Sequence, residues 1–475
     1  MEGALSRHLL TDFWGMEPLT RQKILSEAIA EVHTWQYERN QAYRHTVSAR
    51  GVGPVIDASS QAGTGRHDTS SLSRLLRPTA QTFKSYIDLL GTPFPQDQPQ
   101  AFVQWLAGQL SVELPVERSA RLQRRYGSLE ALLRDLERLF ADYGLEVSTS
   151  SGTSGRSSIV VRDQEGMDRT VESFYLAFQR QMGMQADHRV IFIMPRHTRI
   201  AMARMAHFSV KRVGLPDNRV HFAIPFPAYP DQVRIRAGRT FRPGWHGVLE
   251  RRLWHPAMNW INDRVVTSQA VRRAVTWLRR AEAAGEKVLL FGGLVQLHAV
   301  AQELARGGQT LRLAPGSLLG TGGGLKELYP FAPAEIHRDL AQVIGLTNGE
   351  PIPIRDVYGM AEANWAAMQC QHGNYHVPPW VYAVTLDDDG LFQEGVDTTG
   401  LLAFFDPFGG ATLFPAFFKT ADRVRLVDPA QMATQDHPGL PAGCACPCGE
   451  TGAYLVRDSI QRVDLVDEAG CAAQV

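Results

Sequence analysis

Two short, continuous apolar runs place the strongest constraint on how this chain folds. The runs RVIFIMP (residues 189–195) and KVLLFGG (residues 287–293) are each bounded by turn-forming residues. Uninterrupted apolar runs of this length are typical of strands that are buried on both faces. Each run is followed by a helix-like segment, at residues 198–208 and 294–305. The alternation of buried strands with helices predicts an α/β fold with substantial parallel sheet.

Elsewhere the periodicity changes along the chain. Helical spacing of apolar residues dominates the first part, whereas residues after 380 contain strand-like pieces such as VYAVTL and FFKTADRVRLV without helices. The predicted helices cover residues 21–44, 71–90, 100–110, 128–141 and 167–181. We therefore expect four regions. Residues 1–145 would form a mainly helical part of a large domain, and residues 146–380 an α/β core with mixed and parallel sheets. Residues 381–455 would form a β-rich subdomain, and residues 456–475 a truncated or minimal C-terminal segment.

Composition excludes several classes of partner and location. Lysine plus arginine and aspartate plus glutamate both number 49 among 475 residues, so the net charge is zero. That balance removes the usual electrostatic reason to expect a nucleic-acid or membrane-surface partner. No apolar run approaches the roughly 20 residues needed to span a bilayer, and the N-terminus does not have a secretory signal pattern. Five cysteines, three of them in CACPC, indicate reduced thiols and a cytoplasmic protein.

The segment STSSGTSGRSS (residues 148–158) is composed of serine, threonine and glycine apart from Arg156. Such a composition is typical of a flexible linker. Strand-like segments flank it closely on both sides, which favours a loop that is held at both ends. Small residues let backbone N–H groups turn towards an anion, and the hydroxyls add donors. The segment therefore predicts a phosphate-binding loop, although no Gly-Lys-Ser/Thr closes it as in a Walker loop.

Three further motifs carry residues suited to nucleotide chemistry. GTGGGLK follows an apolar strand, and its glycines indicate either flat access for a ring or phosphate, or a tight turn. In DVYGMAEAN a carboxylate, Glu362, lies just beyond a glycine and could ligate Mg²⁺ or serve as a solvated helix cap. In FFKTADRVRLV we expect Asp422 to be buried and to need a partner, either backbone N–H groups or ligand hydroxyls.

The order of these motifs resembles that of the adenylate-forming enzymes. The similarity is strongest to the branch that holds phenylacetate–CoA ligase and the acyl-protein synthetase of bacterial bioluminescence. SSGTSG resembles the SSGTTG phosphate loop of that family, GTGGGLK its GGGWK-type turn, YGMAE its YGMTE motif and KTADRV its RTGD motif. The stretch PRH at residues 195–197 is similar to a Pro-x-x-His stretch near the acyl pocket. The resemblance runs from about residue 30 to the end of the chain.

The resemblance implies a role for each matched residue. Glu362 would ligate Mg²⁺, Asp422 would bind the ribose hydroxyls of ATP, and Tyr358 would stack near the adenine. Catalytic roles would fall to Glu362, Lys326, Arg156 and Cys471. The remaining matched residues fall into three groups. The residues expected to wrap the β- and γ-phosphates are Ser150, Ser151, Gly152, Thr153, Ser154 and Gly155. Gly322, Gly323 and Gly324 would flank the adenine, and Gly359, Met360 and Ala361 would also belong to the nucleotide site. The residues expected to contact the substrate are Arg196, His197, Phe291 and Gly292.

The chain departs from the family pattern at several positions. Ala361 replaces a threonine that meets the α-phosphate, and Ala421 replaces the glycine before the ribose aspartate. No lysine follows the phosphate loop, so Arg156 is the nearest cation. The chain ends about 50 residues after Asp422. We therefore expect only the hinge of the lysine-bearing C-terminal domain, with Cys471 as either an acylated cysteine or a free thiol.

Two cysteine- and histidine-containing segments predict a metal site. Zinc commonly takes four such ligands from two close pairs. Cys370 and His376 with Cys446 and Cys448 would make a structural zinc site, and both segments have counterparts in the phenylacetate–CoA ligase branch. Cys444 could replace Cys446, and His372 could replace His376. The alternative is a set of unlinked, buried thiols.

These observations lead to one expected function with two alternatives. We expect an ATP- and Mg²⁺-dependent enzyme that activates a carboxylic acid as acyl-adenylate, releases pyrophosphate and passes the acyl group to a thiol or amine. The acceptor would be a protein cysteine, an acyl carrier protein or a small molecule. The alternatives are an acyl-CoA ligase that uses coenzyme A, and a catalytically weak nucleotide- or acyl-binding subunit of a complex.

Overall fold

A computed structural model describes most of the chain. The described residues are 3–56, 69–150, 157–231, 244–261, 266–324, 329–410, 412–432 and 445–463. They belong to two compact units, each built from separate stretches of the chain. The first unit is Met1–Val147, Ser158–Ala177 and Ala361–Asp467, and the second is Ser148–Ser157, Phe178–Met360 and Glu468–Val475.

Helices occur in both halves of the chain. No helix within the described ranges is both long enough and apolar enough to cross a membrane. The α-helices are Ala4–Arg7, Pro18–Arg39, Gln41–Ser48, Thr69–Ser73, Thr79–Phe83, Tyr86–Leu90, Pro99–Gln109, Leu129–Leu139, Gln164–Met182, Ala201–Val213, Trp245–Leu249, His255–Ile261, Ser268–Ala284, Leu294–Arg306 and Pro333–Val343. The shorter 3₁₀ helices are Leu10–Phe13, Pro95–Asp97, Val116–Arg121, Ala141–Tyr143, Asp217–Arg219 and Pro429–Met432, and a π-helical turn spans Glu250–Trp254.

Strands form parallel and antiparallel sheets, which makes the fold mixed α/β as the sequence predicts. The strands are Arg77–Pro78, Glu146–Thr149, Ile159–Arg162, Arg189–Pro195, Val220–Ile224, Val288–Phe291, Leu311–Leu313, Leu318–Gly322, Ile344–Leu346, Ile354–Gly359, Ala366–Gln369, Tyr375–His376, Tyr382–Leu386, Asp397–Phe405, Phe417–Val427, Tyr454–Leu455 and Gln461–Arg462.

The second unit is built on a five-stranded parallel sheet. Its spatial order is Val220–Ile224, Arg189–Pro195, Val288–Phe291, Leu318–Gly322 and Ile354–Gly359. The two runs that the sequence predicts as buried strands are buried along their length, apart from the half-buried Arg189, Lys287 and Gly293 at their ends. Helices Ser268–Ala284 and Leu294–Arg306 supply aliphatic side chains to the same core. The prediction of parallel, doubly buried strands is therefore confirmed.

The first unit contains an antiparallel sheet and a helical core. Asp397–Phe405 lies between Tyr382–Leu386 and Phe417–Val427, and all three run antiparallel. These are the strand-like pieces that the sequence predicts after residue 380. Separately, residues from the helices Pro99–Gln109 and Leu129–Leu139 pack with the apolar side chains of Ile159–Arg162. That packing fixes the strand that follows the serine- and glycine-rich loop.

Two predicted helices begin or end differently because the backbone is used elsewhere. The helix predicted over 71–90 is interrupted at Arg77–Pro78, which pairs in parallel with Phe418 and Lys419. The helix predicted from residue 198 begins at Ala201. Before it, the carbonyl of Arg199 accepts a hydrogen bond from the N–H of Thr149 at 2.8 Å. In both cases a strand pairing that is distant in sequence replaces the local helical preference.

The space above Gly320 is filled by the ring of Phe291. A Cβ atom at Gly320 would lie 2.5 Å from Cδ2 of Phe291, whose side chain is 4% exposed. We expect Gly320→Ala to lower the free energy of unfolding by roughly 1–3 kcal/mol, because the buried ring must move. Gly108→Ala is the matched control, since a Cβ there meets nothing within 4 Å in a helix. It should raise stability by about 0.5–1 kcal/mol. Urea unfolding measures both, and equal stability of Gly320→Ala and the native chain would contradict this packing.

Candidate functional site

Several predicted site residues of the second unit lie at one edge of its parallel sheet. Parallel strands point the same way, so their carboxyl ends share an edge. The strand order changes direction between Arg189–Pro195 and Val288–Phe291, and crevices at such switch points bind ligands in open α/β sheets. The predicted residues that end these strands or follow them directly are Arg196, His197, Phe291, Gly292, Gly322, Gly323, Tyr358, Gly359 and Met360.

The glycine motif makes a turn that other residues would resist. Gly322 ends its strand, and Gly323 and Gly324 follow with φ angles of 86° and 67°. Side chains are disfavoured in this left-handed region, so both positions favour glycine. A Cβ atom at Gly324 would meet no atom of the described residues within 4 Å. Lys326 lies outside the described residues.

The start of the predicted phosphate loop is anchored in the second unit. Thr149 donates its N–H to the carbonyl of Arg199 and bridges to Ile200. The side-chain hydroxyl oxygens of Ser148 and Thr149 are buried, and neither makes a hydrogen bond with another described group. A buried hydroxyl without a hydrogen-bond partner is energetically unfavourable, so such groups are consistent with a loop that binds a polar ligand. Ser150 is the last described residue here; Ser151, Gly152, Thr153, Ser154, Gly155 and Arg156 lie outside the described residues.

Arg196 and His197 present their side chains to solvent. Both are exposed and follow the strand Arg189–Pro195 directly. The Arg196 guanidinium lies 6.0 Å from the ring of Phe222 and 4.0 Å from a carboxylate oxygen of Asp217. Such an exposed, long ion pair contributes little to stability. Both side chains can therefore reorient towards a ligand at low cost.

Phe291 and Gly292, by contrast, are buried. The Phe291 ring packs edge-on against Phe178 and Phe192, with centroids 5.9 and 6.2 Å apart. The Gly292 N–H donates to the carbonyl of Gly320 at 3.1 Å. These two residues shape the sheet edge from within its core.

In the first unit, hydrogen bonds hold both the Glu362 carboxylate and the main chain around it. The Ser158 hydroxyl donates directly to Oε1 of Glu362. Arg162 donates from Nη2 to the carbonyls of Ala361 and Ala363, at 3.2 and 3.1 Å. It also donates from Nε to Oδ1 of Asn364 at 2.8 Å. Sequence reasoning missed Ser158, Arg162 and Asn364; the one available signal was a charged residue at the end of the apolar strand IVVR.

The charge of Arg162 is buried inside the first unit. Arg162 is 5% exposed. Burial lowers its pKa to about 10, although the nearby carboxylates of Glu362 and Asp406 act to raise it. The guanidinium therefore remains charged at neutral pH. Asp406 is fully buried, its Oδ1 accepts the N–H of Gly409 at 2.9 Å, and its Oδ2 has no partner among the described groups.

The predicted ribose ligand, Asp422, lies on the strand Phe417–Val427 of the first unit. Its N–H donates to the Thr420 hydroxyl at 3.1 Å, and its register partner is Arg462. The expectation that Asp422 is buried is wrong, because this residue is partly exposed in the middle of its strand. Partial exposure leaves the carboxylate accessible to a ligand.

Four of the predicted metal ligands of the first unit converge. The ligand atoms of Cys370, His376, Cys446 and Cys448 all lie within 4.8 Å of one another. Sγ of Cys448 lies 3.2 Å from Nε2 of His376, and the sulfurs of Cys370 and Cys446 are 3.8 Å apart. Three thiols and one imidazole are the donor set of a structural zinc site. The residues therefore fit zinc.

Tight turns place the two halves of this cluster. Cys370 donates its N–H to the carbonyl of Asn374, and Cys446 donates to the carbonyl of Glu450. Of the alternatives, His372 is exposed and outside the cluster, and Cys444 lies outside the described residues, as does Cys471.

The buried Asp406 predicts a pH dependence of stability. Burial raises its pKa to about 7, although the Gly409 N–H, Arg162 and Arg169 act to lower it. A raised folded-state pKa contributes stability that is complete below about pH 4 and is lost as pH rises through about 7. Relative to Asp406→Asn, the native chain should therefore lose up to about 4 kcal/mol of unfolding free energy between pH 4 and 8. Asp388→Asn, at a 95% exposed side chain, should show no such trend. A pH-independent difference for Asp406→Asn would contradict the burial of an acidic carboxyl here.

Comparison with known proteins agrees with the motif resemblance. Residues 262–474 match the family model of the acyl-protein synthetase LuxE. The long-chain-fatty-acid–luciferin-component ligase of Aliivibrio fischeri is 38% identical over 69 residues. That match covers 14% of this chain and 18% of the relative, so it spans less than a fifth of the relative's length.

Solved structures of 2-hydroxyisobutyryl-CoA ligase have a similar fold. An open conformation with 2-HIB-AMP and CoA matches with a TM-score of 0.51 at 13% identity, covering 91% of this chain and 73% of that chain. The thioesterification state gives a TM-score of 0.51 over 94% of this chain and 68% of that chain, also at 13% identity. The chain therefore has the fold of the adenylate-forming ligases, and its residues 262–474 match the acyl-protein synthetase family model.

Proposed function

We propose that this protein activates a carboxylic acid with ATP and then transfers the acyl group to a thiol or amine. The observation that carries the proposal is the restraint of Glu362, which lies three residues after the strand end at Gly359. The Ser158 hydroxyl donates to its carboxylate, and Arg162 donates to the carbonyls of the residues before and after it. A carboxylate at that place in the YGMAE motif is suited to a magnesium ion held by phosphates. The fold and the family match support the same chemistry.

The first step forms an acyl-adenylate. A carboxylate oxygen of the substrate attacks the α-phosphorus of ATP, and the bond from that phosphorus to the oxygen bridging the β-phosphate breaks. Pyrophosphate leaves with the bonding electrons. In the second step a thiol or amine attacks the acyl carbon, AMP leaves, and the proton of the acceptor is released. Positioning and charge neutralisation account for most of the catalysis in such phosphoryl chemistry.

The residues present fit ATP and Mg²⁺. The buried hydroxyls of Ser148 and Thr149 lie at the start of the serine-rich loop. Gly323 and Gly324 are left-handed, and a Cβ atom at Gly324 would meet no described atom within 4 Å. Glu362 would hold the metal, which when bound would neutralise phosphate charge. The proposal assigns the phosphates to residues 150–155, the adenine side to Gly322–Gly324, Tyr358, Gly359 and Met360, and the ribose to Asp422.

Two residues of this chain, Ser158 and Arg162, would prepare the site by holding Glu362 and its neighbouring main chain in place. The Ser158 hydroxyl donates a hydrogen bond to Oε1 of Glu362, which leaves Oε2 available as a ligand. Ala361 stands where the family has a threonine. Its carbonyl accepts a hydrogen bond from Arg162, so the main chain at this position is held in place without the threonine hydroxyl. Arg156 and Lys326 remain the proposed sources of positive charge, and Arg196 and His197 the proposed contacts to the carboxylic acid.

A thiol is the acceptor that we favour. One relative is named as a ligase of a luciferin component, and the structural neighbours are named as CoA ligases. The proposed acceptors are therefore a protein cysteine such as Cys471, the thiol of a carrier protein, and coenzyme A. Transfer to coenzyme A is the second candidate function, favoured by the fold of the CoA ligases. The free thiols of Cys370, Cys446 and Cys448 fit a reducing, cytoplasmic setting.

We further propose that Cys370, His376, Cys446 and Cys448 bind one structural zinc ion. All four ligand positions would be filled by protein, which excludes the open position that catalytic zinc keeps. The cluster would join the turn after Ala366–Gln369 to the turn before Tyr454–Leu455. Because Tyr454–Leu455 pairs with Phe417–Val427, the ion would also support the strand that carries Asp422.

The zinc proposal predicts a stoichiometry and a ligand set. Purified protein supplied with zinc should hold one equivalent by elemental analysis, and Cys446→Ser or His376→Ala should lose it together with thermal stability. His372→Ala is the matched control and should keep both, because His372 lies outside the cluster. Native protein without bound zinc, or loss of zinc from His372→Ala alone, would contradict the assignment.

Adenylation predicts carboxylate-dependent exchange of pyrophosphate into ATP. A panel of aryl, fatty and amino acids should identify one active class. Glu362→Gln should lower the exchange rate by on the order of 10²–10³, because a charge-stabilising group is lost. Glu38→Gln changes an exposed glutamate paired with Arg39 and should leave the rate unchanged. ATP binding without exchange for every acid would favour the non-catalytic binding subunit.

A further inference from the structure

We propose that Arg162 is a positioning residue that fixes the main chain on both sides of Glu362. The inference rests on the proposed function in one respect only, namely that Glu362 is the metal ligand. None of the sequence motifs assigns a role to Arg162. Its contacts join residues 199 to 202 positions apart in the sequence.

The contacts of Arg162 are arranged around one residue. Nη2 donates to the carbonyl before Glu362 and to the carbonyl after it, those of Ala361 and Ala363. Nε donates to the side chain of Asn364, the next residue along. Two peptide planes, the one between Ala361 and Glu362 and the one between Ala363 and Asn364, are thereby tied to one rigid, planar guanidinium. The direction in which the Glu362 side chain leaves the backbone is set by these bonds.

The cost of burying this charge indicates that it has a specific task. Burial of an ionised group is unfavourable unless hydrogen bonds and opposite charges compensate it. Glu362 and Asp406 act as the opposite charges, and three carbonyl-type oxygens accept its protons. An apolar side chain of similar volume would fill the same space without that cost. It could not hold the two carbonyls.

Ser158 and Arg162 act on the same glutamate from one short segment. Ser158 directly precedes the strand Ile159–Arg162, and Arg162 ends it. The hydroxyl restrains the carboxylate, and the guanidinium restrains the backbone that carries it. The strand is itself packed in a buried cluster through Ile159 and Val161. Glu362 is thus fixed to the strand that leaves the predicted phosphate loop.

Loss of this restraint should affect metal dependence more than substrate binding. Residues that orient a metal ligand typically contribute 10–100-fold to metal affinity or activity. We therefore expect Arg162→Lys to raise the Mg²⁺ concentration for half-maximal pyrophosphate exchange by about tenfold or more. The KM for the carboxylic acid should change by less than about twofold, since the carboxylate pocket is not touched.

The test combines this kinetic comparison with hydrogen exchange of the full-length protein. Deuterium uptake of the peptide covering residues 357–366 should rise in Arg162→Lys, with no change in residues 294–306. Ser158→Ala should shift the Mg²⁺ dependence without raising that uptake, because it frees only the side chain. Arg169→Lys, in an exposed pair with Glu165, is the matched control and should match the native protein in both measurements.

The outcomes separate this inference from the proposed function. Unchanged Mg²⁺ dependence together with uniformly increased exchange would assign Arg162 to general stability and overturn the inference. Native-like uptake at residues 357–366 would overturn it as well. Absence of exchange activity in the native chain would refute the proposed function, and the deuterium measurement alone would then decide whether Arg162 holds this segment.

Discussion

The parallel pairing of the strands in the second unit is the constraint on which its candidate site depends. Parallel strands bring their carboxyl ends to one edge, whatever the sequence that follows them. The PRH, FGG, GGG and YGM stretches each come at or directly after such an end. A close approach beneath this edge, between Gly320 and the Phe291 ring, leaves no room for a side chain at residue 320. The core therefore determines where these motifs lie.

In the first unit, a buried charge rather than strand geometry holds the main chain around Glu362. An apolar residue could fill the space of Arg162 without the cost of burying a charge. The hydrogen bonds that Arg162 makes to the residues around Glu362 therefore explain why an arginine is present. The Cys/His cluster is the other concentrated polar feature of this unit. With zinc bound as proposed, it would fix two turns, and the pairing of Tyr454–Leu455 with Phe417–Val427 would extend that support to the strand that carries Asp422. The two features would then restrain the proposed ligand-binding residues Glu362 and Asp422.

Much of this organisation follows from the sequence because it depends on local pattern. The buried strands, the left-handed glycines after Gly322 and the strands beyond residue 380 all have local signatures. The close pairs of cysteine and histidine predicted a metal site but left two choices open, Cys444 or Cys446 and His372 or His376; the three-dimensional arrangement places His376 and Cys446 in the cluster. The contacts of Arg162 have no such signature, since their partners are about 200 residues away. The interruption at Arg77–Pro78 and the partial exposure of Asp422 depend equally on long-range pairing.

The central claim is that a substrate carboxylate attacks the α-phosphorus of ATP. Incubation with an acid labelled with ¹⁸O in its carboxylate, ATP and a thiol acceptor tests it most directly. The account predicts that mass spectrometry will find one ¹⁸O atom in the phosphate of AMP after acyl transfer, because that oxygen bridged the acyl group and the phosphorus. Label in inorganic phosphate, with ADP as the nucleotide product, would show attack at the γ-phosphorus and would contradict the account.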